Sequence, residues 1–203
     1  MSYGNPEVPK NSKSYYGASR FISAEMTSTM RFSQIRKMDI SNGEGIGVAL
    51  FTQGCPFHCK NCFNSETWDF DLGEEWTEKM ENAIIYLMKS SHIHRLTILG
   101  GEPLIERNIE PLTKLLTKVR AAYPEKKLWL YTGRLYEEAL KMFPQLISLL
   151  DILIDGRYVD EKRDPRLKWR GSSNQRVLDV QASLKEKKPV LYIDDLQELQ
   201  LQP

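Results

Sequence analysis

The chain has 203 residues, 41% of them apolar, with 28 Lys+Arg against 27 Asp+Glu and a formal net charge of +1. That length suits one domain, or one domain with a tail, and near-neutrality argues against a dedicated polyanion binder, so no nucleic-acid partner is expected. No run of about 18 apolar residues offers a membrane span, no apolar stretch near the start resembles a secretory signal, and a cytoplasmic protein is expected.

In chain order, residues 1–29 are polar, with Pro, Gly, Ser and Lys and little periodicity, and read as a flexible extension. Patterned sequence begins at Met30, which leaves 30–203 for the folded unit. Val48–Thr52 is a short apolar run that predicts a buried strand. Trp76, Met80, Ile84, Leu87 and Met88 recur at helical spacing, with Thr77 as a possible opening residue. Arg95–Leu99 predicts a second strand, stopped by Gly100-Gly101. Ile109, Leu112, Leu115, Leu116 and Val119 mark a second helix. Leu128–Tyr131 predicts a strand, Tyr136–Met142 a short helix, and Ile152–Ile154 another strand. A polar loop then runs to Arg176, and Val177–Val180 and Val190–Ile193 predict two last strands around a short helical piece. Alternating strands and helices imply an α/β fold with a mostly parallel sheet. A closed eight-unit barrel takes roughly 250 residues, so an incomplete barrel or open sheet is expected. The cysteine loop, Gly100–Pro103, Thr132–Arg134 and Asp155-Gly156 each follow a strand. The C-terminal strand ends of such folds carry the site.

All three cysteines, Cys55, Cys59 and Cys62, lie within eight residues in a C-x3-C-x2-C spacing. An odd count packed so tightly is no disulfide framework and reads as a reduced metal site. Structural zinc takes four protein ligands. There is no fourth cysteine, and His92 and His94 precede the second strand, near its opposite end. A four-iron cluster bound by three thiolates fits better, because one iron keeps an open position for a ligand.

C-x3-C-x2-C after the first strand, with Gly100-Gly101-Glu102-Pro103 after the second, resembles the radical S-adenosylmethionine (SAM) superfamily. More narrowly, the chain is similar to the activating enzymes of anaerobic (class III) ribonucleoside-triphosphate reductases. That likeness rests on Gln34–Asp39, Gln53–Pro56, Cys62–Asn64 through Thr67-Trp68, Gly100–Leu104, Tyr131–Gly133, Asp151–Gly156 and Arg170–Arg176. It covers about residues 30–193.

The resemblance implies an incomplete (β/α) barrel of radical SAM type. It implies that Cys55, Cys59 and Cys62 ligate a [4Fe-4S] cluster whose fourth iron takes the amino nitrogen and carboxylate of SAM. Gly100, Gly101 and Glu102 would hold the methionine amino group, and the backbone around Asn61, Cys62 and Phe63 would approach the adenine. The implied reaction is reductive SAM cleavage and formation of a glycyl radical on the reductase. A one-electron donor such as flavodoxin or ferredoxin would supply the electron. Two positions depart from the pattern: Asn61 stands where the superfamily usually has an aromatic residue, and Gly47-Val48 where the family has an Arg. The rival readings are an activase for another glycyl-radical enzyme, such as pyruvate formate-lyase, a small radical SAM enzyme acting on a metabolite, and a non-catalytic metal-binding or electron-transfer module. The loop from Arg157 to Arg176 carries seven Lys/Arg against three Asp/Glu. It is expected to be a solvated loop or, alternatively, a ligand-facing loop or one that docks the reductase.

Overall fold

The computed structural model describes residues 29–192. All but Thr29 of the expected extension, and Ile193, lie outside the described residues. The ordered elements are β1 (Arg31–Asp39), β2 (Gly47–Thr52), β3 (Glu74–Glu75), α1 (Glu78–Met88), β4 (Arg95–Gly100), α2 (Glu106–Ala122), β5 (Lys127–Tyr131), α3 (Tyr136–Met142), α4 (Pro144–Leu149), β6 (Ile152–Asp155), β7 (Arg176–Asp179) and α5 (Val180–Glu186).

The seven strands form one open sheet in the order β3-β1-β2-β4-β5-β6-β7. The β2, β4, β5 and β6 strands run parallel. Both margins are antiparallel, through β1 and β3 on one side and β7 on the other. The expected mostly parallel sheet is thus realised in its centre, and the sheet is not closed.

The period of two along each strand assigns the two faces. Val48, Leu50, Leu96, Ile98, Leu128, Leu130, Leu153 and Leu178 point to one side. They pack there with Ile84 and Met88 of α1, Leu112, Leu115, Leu116 and Val119 of α2, and residues of α3, α4 and α5. Each such fully buried aliphatic side chain contributes about 1.5–3 kcal/mol. The alternate residues line the other side as two smaller groups: Ala49, Phe51 and Leu99, and Trp129, Ile152, Ile154 and Val177. No helix joins these groups, and this is the face that carries the cavity described below.

Local chemistry explains most boundaries. The Thr77 side chain accepts from Met80 N and caps α1, as its position suggested. Asp151 accepts from Leu128 N at 2.7 Å and from Arg120 at 2.6 Å, tying the turn before β6 to β5 and α2. Three expectations change. Arg31–Asp39 is a nine-residue strand, not unassigned sequence. Pro144–Leu149 is a helix, with Pro at its first turn where a missing N–H is harmless. The expected last strand is reduced to a bridge between Leu191 and Leu178, with Tyr192 N donating to Val177 O at 2.8 Å.

Candidate metal centre and cofactor cavity

The loop after β2 is stitched to its surroundings through its backbone. Gly54 N donates to Thr67 O at 2.8 Å, Cys55 N to Trp68 O at 3.0 Å, and Glu102 N to Gly54 O at 2.9 Å. Gly101 is required by that last approach, because a Cβ there would collide with the Gly54 carbonyl. The His58 ring stacks on Trp68 at 4.7 Å. His58 and Asn61 hold left-handed backbone, at φ 45° and 56°. Asn enters that region more readily than most residues, and its amide donates to Asp160 Oδ2 at 2.7 Å.

Cys55, Cys59 and Cys62 are half-buried and line one cavity of about 530 Å³. Gly100, Gly101, Glu102, Tyr131 and Thr132 line it as well. The volume lies within the roughly 300–1,000 Å³ usual for small-molecule and cofactor sites. Phe63 also lines it, whereas Asn61 is not among its lining residues. Seven of the nine candidate positions, Cys55, Cys59, Cys62, Phe63, Gly100, Gly101 and Glu102, thus line the cavity, and Asn61 and Gly47 do not.

Glu102 is fully buried, and its carboxylate joins two strand ends. Oε1 accepts from Leu104 N at 2.8 Å and Thr132 Oγ1 at 2.7 Å, and Oε2 accepts from Gly133 N at 2.8 Å. Burial pushes its pKa up, against the pull of those three donors. The residue therefore has a scaffolding role that sequence reasoning did not reveal. Tyr131 closes β5. Its hydroxyl is buried without a hydrogen-bond partner among the described residues, and burial pushes its pKa up. A buried, unmatched donor on a cavity wall is a group that a ligand or water would satisfy.

The Arg157–Arg176 loop faces the cavity, in line with its ligand-facing alternative. Arg157, Tyr158, Arg163, Trp169 and Arg170 line the same cavity as the cysteines. The Arg163 guanidinium lies 5.4 Å from the Phe63 ring centroid, and Phe63 meets Tyr158 edge-on at 5.6 Å. Lys60 pairs with Glu161 at 3.3 Å, beside the Asn61–Asp160 bond. Two loops about a hundred residues apart in sequence are thereby latched together.

Burial pushes the Cys55 thiol up to about 11 and also raises Cys59. Bound metal would reverse this, because coordination deprotonates thiols outright. Among the described residues no three His, Cys, Asp or Glu side chains group as ligands of one metal ion. A cubane asks something different, since each thiolate binds its own iron. Three thiols on the wall of one cavity, beside glycine backbone and an unmatched hydroxyl, fit that demand.

An open α/β sheet with a three-thiol loop at its parallel strand ends defines an iron–sulfur protein class. Residues 41–178 match the 4Fe-4S single cluster domain family. Proteins named anaerobic ribonucleoside-triphosphate reductase-activating protein are similar to this chain. The one from Escherichia coli K12 is 37% identical over 150 residues, covering 73% of this chain and 97% of its own. That from Haemophilus influenzae is 38% identical over 148 residues, covering 72% and 96%. That from Enterobacteria phage T4 is 37% identical over 149 residues, covering 73% and 93%. The chain belongs to the family of anaerobic ribonucleoside-triphosphate reductase-activating proteins. Among the described residues, no helix is long and apolar enough to cross a membrane.

Proposed function

We propose that the chain is a radical SAM activase that generates a glycyl radical on an anaerobic ribonucleoside-triphosphate reductase. The observation that carries this reading is the single cavity shared by Cys55, Cys59 and Cys62 with Gly100, Gly101 and Glu102. Family membership supports the same partner, since the similar proteins bear that activity in their names. The open sheet agrees with an incomplete barrel of radical SAM type.

When bound, a [4Fe-4S] cluster and SAM supply one-electron cleavage of the C5′–S bond and hydrogen-atom removal from a glycine Cα. This chain's residues bind and orient. The thiolates of Cys55, Cys59 and Cys62 would hold the cluster and leave one position open to SAM. Backbone oxygens of Gly100 and Gly101, with Glu102 beside them, would hold its methionine amino group. Glu102 ties the two strand ends together through the three hydrogen bonds it accepts. The backbone around Cys62 and Phe63 would approach the adenine, with Arg163 and Tyr158 on the same cavity wall. Asn61 acts from outside the cavity by holding Asp160. The activase domain would span residues 30–203.

The test is anaerobic reconstitution with iron, sulfide, SAM, a reductant and a purified class III reductase, followed by electron paramagnetic resonance. A glycyl radical on the reductase is expected. A loaded cluster that cleaves SAM and leaves the reductase radical-free would reject the partner assignment.

A further inference from the structure

Resting on that activase reading, electron balance poses a question that the site does not answer. Each SAM cleavage consumes one electron, and the cluster must be reduced again. All three cysteines of the chain belong to one loop, so no second cysteine-bound cluster on this chain can relay the electron. It must arrive from outside, at a surface close to the cysteine loop but separate from the cavity that SAM would fill.

A second cavity of about 750 Å³ meets that description. It is lined by Arg134, Leu135, Glu138, Lys141 and Met142, with Phe57 of the cysteine loop at its inner end. Phe57, Gly133, Gly156 and Arg157 line both cavities, so the two adjoin at these residues. Phe57 stands two residues from Cys55 and two from Cys59. The Arg157 guanidinium lies 4.3 Å from its ring centroid and that of Arg134 5.7 Å.

The rim chemistry selects the partner. Three cations, Arg134, Lys141 and Arg157, stand against one acid, Glu138. Glu138 is engaged locally, accepting from Leu135 N at 3.3 Å. The nearby Glu137 pairs with Arg176 at 3.0 Å. Leu135 and Met142 are 46% and 49% exposed beside these charges. Apolar contacts within a rim of net positive charge suit a partner with an acidic rim and an apolar centre.

We propose that this groove docks an acidic one-electron carrier protein, which reduces the cluster across the Phe57 wall. The carrier is oxidised by one electron, the cluster is reduced by one, and no bond forms between them. The reductase, by contrast, would approach the open side of the SAM cavity.

The probe is flavodoxin, oxidised for binding and as its hydroquinone for electron transfer. Lys141→Glu and Met142→Asp alter exposed residues that line only the groove. Each should weaken binding of oxidised flavodoxin to the metal-free chain on the order of ten-fold, read by flavin fluorescence. Wild-type binding should weaken with salt, and Lys141→Glu should reduce that salt dependence. Cluster reduction by flavodoxin hydroquinone should slow in the reconstituted variants, while dithionite-driven SAM cleavage stays at the wild-type level. Lys141→Gln, the milder change, should fall between. Unchanged flavodoxin affinity in all three variants would overturn the proposal. So would normal flavodoxin affinity combined with lost reductase activation under dithionite, which would make the groove a reductase surface. Failure of wild-type protein to cleave SAM with dithionite would instead reject the activase reading, and the metal-free binding result would still stand.

Discussion

Arg95 fills the space that a side chain at position 47 would need. The two residues are partners in the parallel register of β2 and β4, and a Cβ on Gly47 would overlap the Arg95 guanidinium. Arg95 is fully buried. It donates to Asp39 Oδ1 at 2.9 Å, Gly43 O at 3.2 Å and Thr97 Oγ1 at 3.0 Å.

This relationship predicts compensation. Gly47→Arg alone should cost about 1–3 kcal/mol or more through overpacking. Arg95→Ala alone should cost about 3–5 kcal/mol, because it strands the buried Asp39 carboxylate. The double variant should recover part of both losses, as residues in contact are not additive. Urea unfolding of the four proteins checks this, and simple addition of the two losses would contradict it.

Each of Cys55→Ala, Cys59→Ala and Cys62→Ala should abolish SAM cleavage and prevent a complete four-iron cluster from forming. Iron and sulfide analysis after anaerobic reconstitution measures this directly. A variant with a full cluster and normal turnover would remove that cysteine from the ligand set.

The Cys55 thiol gives a pH dependence in the metal-free chain. Burial raises its pKa to about 11, so the thiol is neutral at pH 7–8 and the thiolate appears only as pH approaches 11. In a Cys59→Ser/Cys62→Ser variant, iodoacetamide should therefore alkylate Cys55 slowly at pH 8, and faster with each step toward pH 11. The urea-unfolded chain should reach its plateau at lower pH, near the ordinary thiol value of about 8.5. The sign for stability follows: burial favours the protonated thiol, so folding loses its support as pH rises through about 11. Equal profiles for folded and unfolded chains would contradict the burial of this thiol.

The basic loop should divide into two functions. All three side chains are exposed, but Arg163 lines the cavity, whereas Lys162 and Arg166 do not, and Arg166 is paired with Asp164 at 2.9 Å. Arg163→Ser should raise the SAM concentration needed for half-maximal cleavage up to several-fold, the loss of one exposed cationic contact being worth at most about 1 kcal/mol. Lys162→Ser/Arg166→Ser should leave SAM cleavage unchanged. Titrating SAM with an artificial reductant separates the two variants, and equal effects would contradict the division.

The sequence made some of this legible for physical reasons. The α1 and α2 helices announce themselves because their apolar residues recur at 3.6-residue spacing, and β2 because its run is buried on both faces. The cysteine loop and Gly100-Gly101 are read together because chemistry constrains them locally. By contrast, β1 hides behind Arg31, Arg36 and Lys37. Its partly exposed pattern and its two register shifts spoil a clean alternation. Nothing near Arg95 in the sequence points to its partner Asp39, which lies 56 residues away. The same distance effect conceals the part that Asn61 plays: nothing near it in sequence points to Asp160, 99 residues on. The wall formed by Arg157–Arg176 looks merely polar until the fold brings it over the thiols.

The latch between Asn61 and Asp160 also sets an order of events during synthesis. Domains tend to fold as the chain emerges from its N-terminal side, so the three thiols leave the ribosome about a hundred residues before the segment that covers them. Until that segment arrives, they face solvent without their Asp160 and Arg163 neighbours. Oxygen or stray metal would have its best access during that interval, and the finished chamber would receive iron and sulfide only after that segment has emerged.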